Sequence, residues 1–348
     1  MIKVKKNIPG IFGIFIILCS IVCAVFAYFI APDKSPFANE MHLELSTLRP
    51  GTEVSFLHVP KDVSTSTSFI KQLVEGKVLN YKSIPVSTFT VSDSLVSYTR
   101  YGTEYLITIP NQDLVFAHGK SPIFSKTFFL GTDKYGRDLL SRLIVATRIS
   151  LAVGFISVFI SLLIGITLGL FAGYYGSWID KCILWLINVV WSIPTLLMVI
   201  AISLALGKGF WQVFVAVGLT MWVEVARVVR GQVLSLKQME YIQAARVLGF
   251  GDFRIMFKHI LPNIMSPIIV ISAANFASAI LIEAGLSFLG IGAQAPMPSW
   301  GAMIKNHYSY IILDKAYLAL APGMAIMLLV LALMYVGNML RERLNVRA

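Results

Sequence analysis

Six apolar stretches of membrane-spanning length constrain this chain more than any other feature. They lie at about residues 10–31, 149–174, 182–206, 210–229, 267–290 and 316–340. A hydrocarbon core about 30 Å thick requires roughly twenty apolar helical residues. In lipid, a spanning segment must satisfy its own backbone, so helices are the expected form. The composition agrees, with 57% hydrophobic and 14% charged residues. The fourth stretch is the weakest, because it carries Glu224 and Arg227. The cysteines, Cys19, Cys23 and Cys182, fall in or beside apolar spans without metal-ligand spacing, and they indicate no disulfide framework.

The net charge of +11 sorts by side of the membrane and does not call for nucleic acid. Lys3, Lys5 and Lys6 precede the first span, and Arg341, Arg343 and Arg347 close the chain. Arg227, Arg230, Lys237, Arg246, Arg254 and Lys258 surround the loop between spans four and five. The short loops opposite hold only Lys208, Lys305 and Lys315. Positive short loops face the cytoplasm, which puts both termini and that loop inside. Residues 32–148 are then outside, and their 13 basic residues do not count, because the rule covers short loops. The basic start and the small residues near Ala27 suit a secretory signal, but the apolar run is long for one. Cys19 and Cys23 lack the small preceding residue of a lipoprotein box, so an uncleaved first span is expected.

The loop at residues 238–263, QMEYIQAARVLGFGDFRIMFKHILPN, is the longest polar interruption in the second half. Tyr241, Ala244, Ala245 and Leu248 recur at helical spacing, and Gly249 suits a left-handed helix end. Asp252 suits the N-cap of a second helix with Phe253, Met256, Phe257 and Ile260 on its apolar side, and Pro262 should stop it. Such a helix–corner–helix has no apolar surface of its own to bury against. It therefore either takes a partner or lies flat in the lipid interface.

Elsewhere, residues 84–91, 95–101 and 105–109 read as strands of a small β-rich insert. His42, His58 and His118 are too far apart for a metal site and read as surface histidines. Gly119, Lys120 and Ser121 match the end of a phosphate loop, but Leu114 stands where its first glycine belongs. In GTDKYGRDLLSR, residues 131–142, Thr132 or Asp133 can cap an interfacial helix and Asp138 can pair with Arg142. Two acids at this spacing do not make a calcium loop. The second span carries Ser157, Ser161, Gly165, Gly169 and Gly173 in strict four-residue register, a packing ridge.

Pro194 should kink the third span, with Asn188 and Trp191 on nearby turns. That arrangement suits a wall of a translocation path and a structural kink equally. Glu224 with Arg227 reads as a structural pair, and Glu283 is the other ionisable residue in a span. Asn188, Pro194, Glu224 and Glu283 are the candidate pathway or gating positions. Near Glu283, Gly285, Gly290 and Gly292 suggest close packing. Pro296, Pro298 and Trp300 suggest a rigid interfacial loop with its tryptophan in the aromatic belt.

Taken together, these stretches resemble ABC-importer permeases. Ala244, Ala245, Gly249, Leu261 and Pro262 fall at the spacing of the EAA loop. Gln243 stands at its acidic position and His259 at its isoleucine. GTDKYGRDLLSRL, AGYYGSWID (172–180), EAGLSFLGIG (283–292) and PMPSWG (296–301) are similar to the C-type permease of dipeptide/oligopeptide importers. The resemblance covers the first span and about residues 131–348, and leaves the insert unexplained.

The resemblance implies an all-α polytopic fold of the type I importer kind, with a β-rich extracytoplasmic insert. Residues 1–31 would form the N-terminus and first span, 32–130 the insert, and 131–348 the permease core with its loop at 238–263. It also implies a bacterial plasma (inner) membrane location, a second homologous permease, two cytoplasmic ABC ATPases and an extracytoplasmic substrate-binding protein. ATP and magnesium would be held by the ATPases, since the chain itself carries no credible nucleotide loop, and no cofactor is expected in it. Gly249 would set the loop's corner, Ala244 and Ala245 would allow close approach, and the helices would dock in ATPase grooves.

The resemblance also leaves a nickel or other small-solute ABC importer permease as the alternative. A secondary transporter is the competing class, but it should show midplane ionisable groups and inverted repeats. A purely structural protein has no use for the loop, and an intramembrane enzyme would need a nucleophile–base or metal-ligand set.

Overall fold

A computed structural model describes residues 8–61, 68–92, 94–115, 123–207 and 209–345. Lys3, Lys5, Lys6, His118, the 119–121 tripeptide, Lys208 and Arg347 lie outside these. The chain divides into two compact units, one of residues 1–21, 149–294 and 324–348, the other of residues 22–148 and 295–323.

Among the described residues, five helices are long and apolar enough to cross a membrane. α1 is Ile8–Val25, followed by the short α2, Ala27–Ile30. α3, Phe69–Glu75, lies in the insert. α4, Leu139–Tyr175, takes in only residues 139–142 of the stretch expected to be a separate interfacial helix, and residues 131–138 are not helical. α5, Ser177–Trp191, and α6, Thr195–Leu206, meet at a 91° bend. The third span is therefore a broken pair rather than a kinked rod. Pro194 is the N-cap of α6, where it cannot donate back into α5.

α7, Phe210–Leu236, is followed by α8, Glu240–Val247, and the short α9, Asp252–Arg254. α10 is Met265–Leu289, α11 is Trp300–His307 and α12 is Tyr317–Asn345. The span weakest in hydropathy, α7, is the most enclosed, with 67% of its apolar window buried against 11% for α1. A helix surrounded by protein tolerates polar residues that a lipid-facing one does not.

In the core unit, the ridge of small residues on α4 runs along α7. Ser157 Oγ donates to the Phe214 carbonyl at 3.0 Å. A Cβ on Gly165 would lie 2.7 Å from the Trp222 carbonyl oxygen, and one on Gly169 2.7 Å from that of Ala226. On Gly173 it would lie 2.7 Å from Val233 Cβ. The contacts advance four residues at a time on both helices, the register at which two helix backbones can close up. Gly285, by contrast, has nothing within 4 Å of a built Cβ. Gly290 caps α10 in the left-handed conformation.

The other unit holds an antiparallel five-stranded sheet, ordered β4-β3-β2-β1-β5. β1 is Thr52–Pro60, β2 Tyr81–Val91, β3 Leu95–Arg100, β4 Leu106–Pro110 and β5 Ile123–Phe128. β1 pairs with both β2 and β5, for example Phe56 with Pro85 and with Phe124. Its side chains serve two cores, Val54 and Phe56 with Leu45 and Phe128, and Leu57 with Val86 and Tyr98. The sequence reading finds β2 to β4 but not β1 and β5. Their Glu53, Ser55, His58, Ser125 and Lys126 interrupt the β-branched pattern, and pairing of β1 with β2 and β5 overrides that local preference.

GTDKYGRD forms a buried clamp in this unit, not a capped interfacial helix. Asp133 is fully buried, and its Oδ2 lies 2.6 Å from an Arg137 terminal nitrogen and 3.8 Å from Arg142 Nε. Its Oδ1 accepts the Tyr135 and Arg137 amides at 2.8 and 3.0 Å. The α4 cap is Asp138, whose Oδ2 accepts the Ser141 amide at 3.2 Å and the Ser141 hydroxyl. Arg142 consequently turns to Asp133, and the expected Asp138–Arg142 pair does not form. Arg137 donates to Asn39 Oδ1 at 2.9 Å, and Thr132 Oγ1 donates to the Leu45 carbonyl and accepts the Leu48 amide. These bonds explain why residues 131–148 group with the insert.

Trp300 also departs from its expected place. It is 3% exposed and donates to the Leu143 carbonyl at 3.1 Å, so it is a packing residue and not part of an aromatic belt.

His58 is no ordinary surface histidine. It is sandwiched between Tyr81 and Phe124, with ring centroids 4.0 and 3.9 Å away. Burial pushes its imidazole down to about 4. Nearby Glu40 accepts from Ser83 Oγ at 2.5 Å and lies 3.5 Å from His42 Nε2 and 3.8 Å from Lys126 Nζ. Burial alone would raise the Glu40 carboxyl, but His42, Lys126 and Ser83 outweigh it and hold it at about 2.

Both shifts act in one direction. The unfolded chain binds the extra proton at His58 between about pH 4 and 6.5, and at Glu40 between about pH 2 and 4.5. Stability of the sheet therefore falls as pH drops through both windows. Hydrogen exchange of β1 and β2 in the purified protein, corrected for intrinsic rates, should lose protection from about pH 6.5 downward. His58→Phe should remove the upper window only. A flat profile between pH 6.5 and 4 in the wild type would contradict this account.

Candidate functional site

The loop between α7 and α10 is built in two layers. Lys237 is the C-cap of α7, and its ammonium bonds the Tyr174 carbonyl. In α8, Glu240 in the first turn and Arg246 in the last suit the helix dipole. Gly249 has φ +79°, as the corner requires. Its amide donates to the Arg246 carbonyl at 2.9 Å, and that of Phe250 to the Ala245 carbonyl at 3.1 Å. This pair of bonds is a Schellman motif, the form that satisfies the last carbonyls of a helix.

Past the corner, the geometry differs from the sequence reading. Gly251, not Asp252, is the N-cap, and Asp252 is the first helical residue. Its carboxylate accepts the Tyr174 hydroxyl at 2.7 Å, which occupies the group that would otherwise cap the helix. Pro262 does not stop the helix. α9 widens into a π-helix at Ile255–Ile260, tightens to a 3-10 turn at Leu261–Ile264, and continues into α10. A proline removes one i→i−4 bond and displaces the carbonyl four residues back, and a change of helix type absorbs both.

The apolar residues of the loop split between two faces. Ile242, Ala245, Ile255, Met256, Ile260 and Ile264 are buried against Leu170 and Tyr174 of α4 and Val225, Val229 and Val233 of α7. The loop therefore does have core of its own, contrary to the expectation. Tyr241, Ala244, Leu248, Phe253 and Phe257 face outward instead, with Val247 88% and Leu248 72% exposed. Phe253 and Phe257 lie parallel at 6.5 Å. Gln243 is exposed and bonds the Gln238 carbonyl at 3.1 Å. Leu261 packs at the edge of the inner layer, Pro262 is exposed, and Asn263 bonds the Tyr241 hydroxyl at 3.4 Å. His259 stacks on Phe250 at 5.7 Å.

Sequence reasoning missed Tyr174. It is 2% exposed, with the Arg246 guanidinium 4.8 Å above its ring and Asp252 on its hydroxyl. It ties both limbs of the loop to the end of α4. The available signal was its place in AGYYGSWID, where Asp180 also proves to be a partner. Arg230 grips Asp180 in bidentate fashion at 2.6 and 2.7 Å.

The four candidate pathway positions do not form one cluster. Asn188 accepts from Arg227 at 3.4 Å, and that guanidinium lies 3.4 Å from the Trp191 ring centroid. Arg227 is thus engaged with α5, and the expected Glu224–Arg227 pair is not formed. Glu224 lines a cavity of about 320 Å³ at the α5–α6 break. Glu283 is buried in α10 and accepts from Ser287 at 2.6 Å. Pro194 stands at the break itself.

A broken helix pair, a ridge-packed helix pair and a two-layered loop belong to a multi-pass membrane component. Residues 165–346 match the family model described as the binding-protein-dependent transport system inner membrane component. The chain belongs to this family, as the permease subunit of an ABC importer. It is 37% identical to the dipeptide transport system permease protein DppC of Alkalihalophilus pseudofirmus, over 82% of this chain and 92% of that one. It is 43% identical to the glutathione transport system permease protein GsiD of Pectobacterium atrosepticum, over 64% of this chain and 73% of that one. Among solved structures, the inward-facing MetNI methionine ABC transporter aligns with a TM-score of 0.48 and 18% identity, over 58% of this chain and 95% of that one.

Proposed function

We propose that this permease imports di- or oligopeptides, pairs with a second homologous permease, and is driven by two cytoplasmic ATPases that hold ATP and magnesium. An extracytoplasmic binding protein delivers the peptide. Both termini and the 238–263 loop face the cytoplasm, where short basic loops belong.

The observation that carries this reading is the two-layered loop. Its inner face is fixed to α4 and α7, while its outer face presents Tyr241, Val247, Leu248, Phe253 and Phe257 around a glycine corner. Exposed apolar side chains grouped on one surface mark a protein contact. Amphipathic helices of this kind dock in grooves. The peptide assignment is supported by relatives named for dipeptide and glutathione transport.

The test is purification of the tagged chain with its neighbours, followed by reconstitution in vesicles. Two ATPase copies should copurify per permease pair, and labelled dipeptide uptake should require ATP and persist without a proton gradient. Uptake that follows the proton gradient and ignores ATP would overturn the reading.

A further inference from the structure

We infer that Glu224 is the group that receives the positively charged amino terminus of the peptide as it passes through the membrane. This rests on the peptide-permease reading and adds the residue and the part of the substrate it meets.

Glu224 lies on α7 and is exposed within this chain, although its neighbours Val223, Val225 and Ala226 are buried. It contributes to a cavity of about 320 Å³ between the α5–α6 break, α7 and α10. The rest of that wall is apolar or hydroxylic, including Trp191, Thr195, Thr220, Ser278 and Leu281. Among the residues lining the cavity, Glu224 is the one that carries formal charge.

The nearest cation in sequence is already engaged. Arg227 is held on the Trp191 ring and by Asn188, and Arg230 is held by Asp180. A carboxylate inside a span is costly unless a cation offsets it. This chain leaves that position open on a cavity wall, at the broken helix pair. In secondary transporters, substrate sites are commonly built at such discontinuous helices. By volume the cavity holds on the order of ten waters, at about 30 Å³ each, which is room for the leading residue of a peptide. An ammonium supplies three donors and the missing positive charge.

The test uses the whole importer in vesicles, with its binding protein and a labelled dipeptide offered either free or N-acetylated. Glu224→Gln should lower uptake of the free dipeptide at least about tenfold, the factor that follows from losing ~1.4 kcal/mol. Binding-protein-stimulated ATP hydrolysis should stay within about twofold of wild type. Glu224→Asp, which keeps the charge, should recover most of the uptake. The ratio of variant to wild-type uptake should be lower for the free than for the acetylated peptide, a comparison in which the binding protein's own preference cancels.

Free-peptide uptake by Glu224→Gln within about twofold of wild type overturns the inference. So does release of the second permease from either variant, which would assign Glu224 to a subunit contact. A wild-type complex that hydrolyses ATP but carries neither peptide contradicts the parent reading instead.

Discussion

Gly249→Val is expected to reduce ATP-driven uptake by at least about tenfold while the permease still inserts and folds. The residue sits at φ +79° with nothing within 4 Å of a built Cβ. Space is therefore available, and the penalty comes only from the backbone. A β-branched residue in the left-handed region costs about 1–2 kcal/mol and would open the Schellman corner. Opening the corner re-aims Val247 and Leu248 on one limb and Phe253 on the other. Asparagine tolerates the left-handed region, so Gly249→Asn should retain most transport. Fluorescence size-exclusion would report folding, and ATPase copurification would report docking. Equal uptake by wild type and Gly249→Val, with ATPases bound, would remove the corner from the coupling mechanism.

Gly136→Val should have the larger effect on folding. Gly136 has φ +71°, and a Cβ there would collide with the His42 backbone carbonyl. Backbone cannot swing aside as a side-chain tip can. The substitution must displace either residues 40–48 or the turn that holds Asp133. Asp133 is buried with two arginines around it, and exposing that network strands charge, an effect of about 3–5 kcal/mol when one partner of a buried pair is lost. The expected outcome is loss of the folded protein from the membrane, or rapid proteolysis within residues 22–148. Normal abundance and normal exchange protection of the strands would show that the clamp is dispensable.

Much of the membrane architecture is legible in residue order, because a hydrocarbon layer imposes helix length and composition directly. The small-residue register on α4 and the corner at Gly249 are legible for a similar reason, since each is a local backbone requirement. What the sequence hides are choices made by tertiary partners. Asp252 looks like a cap until Tyr174 claims its carboxylate. Arg227 looks like the mate of Glu224 until Trp191 and Asn188 take it. Asp138 and Asp133 exchange their expected roles because residues 33–49 fold back on them. The outward turn of Tyr241 and Leu248 depends on Ile242, whose burial against α4 and α7 no local pattern announces.

The π-helix at Ile255–Ile260 and the 3-10 turn at Leu261–Ile264 leave no gap between the loop and α10. Met256 and Ile260 on this stretch share one packed core with Val225 and Val229 of α7 and Leu170 of α4. A close-packed core transmits strain instead of yielding. Under the coupling role proposed above, the loop is the short arm of a lever and not a tether. A push at Phe253 or Leu248 is expected to pass to α10 along the chain and to α4 and α7 through side-chain contact, so that three spans receive a single stroke together.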